Sequence, residues 1–140
     1  MKVTSLTLKL VQILIIAMYI WSLFLPSFVS DFHNPEAPNI LTGFMVLLSG
    51  WAGLLILDPR WLANFLFLFC LRTNFRGNGR RISPIVGILL VVGSILFPIH
   101  IAYQDRIVEI GSRGLGVYIW SISLALAFIT SLLLAKKISS

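Results

Sequence analysis

Residues 58–81 read DPRWLANFLFLFCLRTNFRGNGRR, and their reading decides how the chain is arranged. Asp58-Pro59 joins an N-cap side chain to a residue whose φ already suits a first helical turn. The apolar run after Trp61 is therefore a helix of its own. Arg72, Arg76, Arg80 and Arg81 follow it around a Gly77-Asn78-Gly79 bend. Cationic flanks decide which end of a membrane helix stays in the cytoplasm, so this cluster orients everything else.

Composition places the chain in a membrane. Of 140 residues, 58% are hydrophobic and 11% charged, and the mean hydropathy is +0.96. A soluble fold of this length leaves much of its area in water and cannot hide so much apolar surface. One membrane domain over residues 1–140 is expected, with no separate soluble unit. The net charge of +6 sits in small groups at the ends of apolar runs, as lipid head-group contacts do. It forms no basic stripe with stacking aromatics, so nucleic acid is not an expected partner. The lone Cys70 excludes an intramolecular disulfide.

Upstream of Asp58, residues 42–57 read TGFMVLLSGWAGLLIL, with Thr42 as a helix cap. Sixteen residues reach about 24 Å, short of a hydrocarbon core of roughly 30 Å. A crossing here would carry the four arginines to the outer side. The segment is therefore expected to lie on the outer surface or dip in and return, leaving 59–75 to cross. One long broken helix over 42–71 ranks second, because it sets Asp58 and Arg60 near mid-membrane at roughly 2.5–3.5 kcal/mol each. Residues 26–41 hold three of the six prolines and no cation, which predicts a turn-rich outer loop. Before them, 6–25 is long enough to cross, with Lys2 ahead of it and Lys9 in its first turn; it is expected to be retained rather than cleaved as a signal.

Downstream, Ser83-Pro84 repeats the cap-then-proline pattern and opens a span over 84–102, with Pro98 bending its outer end. Residues 103–113 read as a polar outer connection. The last span, 114–135, carries Tyr118 and Trp120 at interfacial level and closes on Lys136 and Lys137. The expected fold is all-α: a polytopic helix bundle with crossings at 6–25, 59–75, 84–102 and 114–135, both termini cytoplasmic, and an outer-side interfacial or re-entrant helix at 42–57. Lys2, Lys9, Arg72, Arg76, Arg80, Arg81, Lys136 and Lys137, eight of eleven cations, then face the cytoplasm, and all five acids face away.

Few residues suggest chemistry. Asp31, His33 and Glu36 are weak metal or acid–base candidates on the first outer loop, with His100 on the same side. The blander reading is a solvated loop, since no second cluster completes a ligand set. Gln12 and Asn64 lie inside spans, and each is expected to bond a carbonyl of a neighbouring helix. Small residues recur at four-residue spacing in Ser49/Gly53, Ser121/Ala125 and Ser123/Ala127/Ser131, which permits close helix packing. Gly50, Trp51, Gly53, Trp61, Asn64, Ser123, Ala127 and Ser131 are the candidate interface residues, with packing inside the bundle as the default use. No catalytic set, cofactor motif or midplane charge is present, which argues against an enzyme and against an ion-coupled transporter.

Gly50-Trp51, Trp61-Leu62-Ala63-Asn64 and Gly116-Val117-Tyr118-Ile119-Trp120 together resemble a loose family of small multi-pass bacterial membrane proteins. The resemblance covers most of residues 10–135 and implies an inner-membrane location, with no activity to carry over. The resemblance implies a proline after the Trp-Leu-Ala-Asn unit, where Phe65 stands here.

The functional expectation is a non-enzymatic integral membrane protein that binds a protein or lipid partner, as an accessory subunit or immunity-type protein would. Its partners would be membrane lipids and another membrane protein or a second copy, with no cofactor. The alternative is a transporter or channel component using the broken segment 42–60.

Overall fold

The computed structural model describes residues 5–30, 40–76, 82–96, 100–103 and 106–138. It is mostly helical. Helix α1 spans Ser5–Phe24, α2 Gly43–Ser49, α3 Ala63–Phe75, α4 Ile82–Leu96 and α5 Leu115–Ile138. Two short 3-10 helices, Gly50–Ile56 and Pro59–Leu62, join α2 to α3. By length and composition, α1 and α5 are long and apolar enough to cross a membrane. The 13 residues of α3 and 15 of α4 are shorter than the roughly 20 a perpendicular crossing needs.

Helix α5 is the axis of the bundle and packs against α1, α3 and α4. Asn64 meets Trp120 and Asn74 meets Ala127, so α3 and α5 run the same way. Cys70 lies 3.5 Å from Ser83, and Gly87 abuts the Phe128 ring, so α4 runs opposite to both. A Cβ on Gly87 would lie 2.5 Å from that ring, which is why only glycine fits between α4 and α5.

Small and polar side chains share the interior with an apolar core that includes Phe67, Leu124 and Phe128, while large apolar side chains cover the outside. In α1 the inward side is buried Gln12, Ile15 and Ser22 with half-buried Tyr19, one helical face, while Leu10, Ile13, Leu14, Trp21 and Phe24 face outward. Across the bundle Asn74, Ser94, Ser121, Ser123 and Ser131 are buried, whereas Leu68, Leu89, Ile122 and Leu133 are exposed. Small and polar residues inside with leucine outside is the arrangement that lipid favours.

The bundle is capped at one end by a sheet, which corrects the two outer loops expected from the sequence. Strands β1 Pro26–Ser30, β2 Ile40–Thr42, β3 His100–Tyr103 and β4 Arg106–Arg113 form an antiparallel sheet in the order β2-β1-β4-β3. The hairpin pairs His100 with Glu109 and Tyr103 with Arg106. Its β-branched residues Ile101, Ile107, Val108 and Ile110 suit a strand. Pairing satisfies backbone N–H and C=O groups of the strands.

The same sheet shortens the expected span 84–102. Helix α4 ends at Leu96. Pro98, expected to bend the outer end, lies outside the described residues, and the chain is already strand β3 at His100. Ser83 lies inside α4 instead of capping it from outside. Thr42 and Asp58 do cap: Thr42 accepts from the Met45 amide and Asp58 from the Arg60 amide.

Candidate functional site

Segment 42–57 begins and ends at the sheet end of the bundle. Thr42 pairs with Pro26 in the sheet, and the Gly43 amide donates to the Leu25 carbonyl at 3.1 Å. Helix α2 lies on α1 so closely that a Cβ on Gly43 would lie 2.5 Å from the Ser22 carbonyl oxygen. The 3-10 helix Gly50–Ile56 then contacts β3, and Pro59–Leu62 contacts α4. Phe44, Leu48, Trp51 and Leu55, spaced as one helical stripe, face away from the protein. Leu57, in the turn between the 3-10 helices, has φ 60 and is 90% exposed.

Between this inserted segment and the helices lies a cavity of about 120 Å³. Its walls are Leu23 of α1, Val46 and Leu47 of α2, Val117 of α5 and Phe28 of the sheet. Its polar side is a convergent set. Tyr19 and the Trp120 indole each donate to Asn64 Oδ1 at 3.0 Å, and Asn64 Nδ2 donates to the Trp61 carbonyl at 3.1 Å. Trp61 donates its indole N–H to the Leu47 carbonyl at 3.0 Å, pinning α2 to the start of α3. Gly50 makes room for that ring, since a Cβ there would lie 2.5 Å from Trp61 Cδ1.

The cavity also reaches Asp58 and Arg60, whose side chains are 17% and 18% exposed. Arg60 Nε lies 2.7 and 2.8 Å from the two Asp58 oxygens, and its terminal nitrogen pairs with the same carboxylate. The pair forms within one short turn, because the Asp58 cap turns its carboxylate back over residue 60. Such mutual neutralisation permits a low-dielectric setting.

The sequence candidates fall unevenly around this site. Gly50, Trp61 and Asn64 line it, and Trp51 is exposed on the outer stripe. Ser123, Ala127 and Ser131 are fully buried, so their row is consumed by packing within the bundle and offers no surface to a partner. Gly53 lies in the first 3-10 helix. His100 stands on β3; Asp31, His33 and Glu36 lie outside the described residues, as do Arg80 and Arg81. Arg72, Arg76 and Lys136 are exposed at the end of the bundle away from the sheet, where α5 also carries Lys137.

Asn64 corrects the expectation that it would bond a neighbouring helix's carbonyl. It serves as an acceptor for two helices and donates to its own preceding turn. Asn74 makes the interhelical carbonyl bond instead, to Ala127 at 3.1 Å. Gln12 is fully buried, and neither of its amide atoms has a partner among the described residues. Tyr19, Ser22 and Ser27 are polar lining residues that the sequence reading did not single out. The 12/15/19/22 spacing in α1 was the available signal for Tyr19. No family model, curated protein or solved structure matches the chain.

Proposed function

We propose that this chain is a four-crossing protein of the bacterial inner membrane, with both termini cytoplasmic and the sheet facing away, which acts by binding a membrane lipid in the cavity at its outer end. Charge supports that orientation. Lys9, Arg72, Arg76 and Lys136 lie at the end opposite the sheet, whereas Asp58, Arg60 and Arg113 lie at the sheet end. The short α3 crosses with the help of the 3-10 turn Pro59–Leu62 that precedes it.

The carrying observation is the cavity itself, apolar-walled and polar on one side, set at the end of a bundle whose outer surface is apolar. A lipid is favoured over a protein partner because the small-residue row that would seat another helix is used up inside. Binding is tested by purifying the protein in mild detergent and identifying retained lipid by native mass spectrometry. The wild type is expected to retain a lipid that Gly50→Leu, which drives Trp61 into the cavity, does not. Equal retention by both proteins, or none by either, would contradict the proposal.

A further inference from the structure

The hydrogen-bond inventory of the cavity selects its ligand. We propose that it takes the hydroxyl end of an uncharged, long-chain alcohol; this rests on the lipid-binding reading above and names the chemistry of that lipid. Among the described residues, Asp58 and Arg60 are the only formal charges on the lining, and they pair with each other. An anionic head group would have to draw Arg60 from its carboxylate, and a cationic one would meet a carboxylate already engaged.

Most lining donors are committed within the protein, while the Ser27 hydroxyl, also on the lining, makes no hydrogen bond among the described residues. Tyr19 and Trp120 donate to Asn64, Trp61 to Leu47, and the hydroxyls of Ser22, Ser49 and Ser94 to the carbonyls of Tyr19, Met45 and Leu90. What those hydroxyls still present is oxygen lone pairs. A ligand group that both supplies and accepts a hydrogen, as a hydroxyl does, therefore fits these lone pairs together with the Ser27 O–H. The lining that remains is aliphatic and aromatic, matching a hydrocarbon chain. Size sets the last limit. A cavity of about 150 Å³ holds a benzene-sized molecule, so a volume of about 120 Å³ takes only the first few atoms of the ligand. The rest of the chain extends into the surrounding lipid.

The test uses the full chain in nanodiscs of zwitterionic lipid. Four diazirine probes are added separately: a straight-chain alcohol, a diacylglycerol, and a carboxylate and a quaternary ammonium with the alcohol's chain. Labelled residues are then located by mass spectrometry. The alcohol is expected to label cavity residues at least tenfold more than the carboxylate or ammonium probe, and unlabelled alcohol should compete. Labelling by the diacylglycerol as well would extend the site to branched lipid alcohols, while labelling by the straight chain alone would restrict it to single chains; both outcomes support a neutral hydroxyl ligand. Equal or stronger labelling by a charged probe overturns the hydroxyl inference and leaves lipid binding intact. Cavity labelling by none of the four overturns both. Ser94→Ala, which removes an acceptor without filling the cavity, should lower alcohol labelling several-fold while leaving the weak carboxylate labelling unchanged; a parallel fall in both would count against the hydrogen-bond argument.

Discussion

The Tyr19 hydroxyl, near the end of α1, lies 3.0 Å from Asn64 Oδ1 in the first turn of α3, across forty-five residues of sequence. The same oxygen accepts from Trp120, so one carboxamide joins three helices directly above the apolar core of Phe67, Leu124 and Phe128. Loss of that oxygen leaves two donors without an acceptor. Asn64→Leu is therefore expected to destabilise by about 2 kcal/mol or more. Tyr19→Phe removes one donor only and should cost about 1 kcal/mol, in the range of hydrogen bonds between membrane helices. Reversible unfolding of both variants in mixed micelles checks the order.

Asp58 and Arg60 are expected to be strongly coupled. Either alanine variant leaves one charge in a mostly enclosed site, so each should lower stability by roughly 1–3 kcal/mol. The double alanine variant should be less damaging than the two single losses added together. A double-mutant cycle measures this, and strict additivity would mean that the pair contributes nothing.

Gln12 offers a stabilising change. Its amide is fully buried with no partner among the described residues, whereas Leu has similar bulk and no polar atoms. Gln12→Leu should raise stability by about 1 kcal/mol, read as a higher Tm in detergent. A lower Tm would show that the amide holds an essential bond.

Leu57 is held at φ 60, which costs an L side chain roughly 1–2 kcal/mol. Glycine adopts that backbone freely, and a β-branched residue adopts it worst. The expected order of Tm is Leu57→Gly above wild type above Leu57→Val. An exposed side chain at this position makes packing a minor contributor.

How much of this was legible depended on range. Asp58-Pro59 and Thr42 were readable as caps because capping is local chemistry, and both cap in the structure. The strands were not read, since three prolines and scattered charges masked short runs such as Phe28-Val29 and Ile107-Val108. Their pairing also joins residues more than eighty positions apart, as in Phe28 with Arg113. Asn64 was legible as a polar residue needing partners, but its actual partners arrive from α1 and α5. Nothing local in the sequence brings Tyr19, Asn64 and Trp120 to one point.

The orientation of the bundle is tested most directly with a thiol reagent that cannot cross the inner membrane. It is applied to spheroplasts bearing single cysteines at Ser112 on β4 or at Arg76 beyond α3, both exposed positions, with Cys70 replaced by Ala. The Ser112→Cys protein should label in intact spheroplasts, and the Arg76→Cys protein only after lysis. Labelling of Arg76→Cys from outside, with Ser112→Cys protected until lysis, would turn the sheet and its cavity toward the cytoplasm and contradict the account.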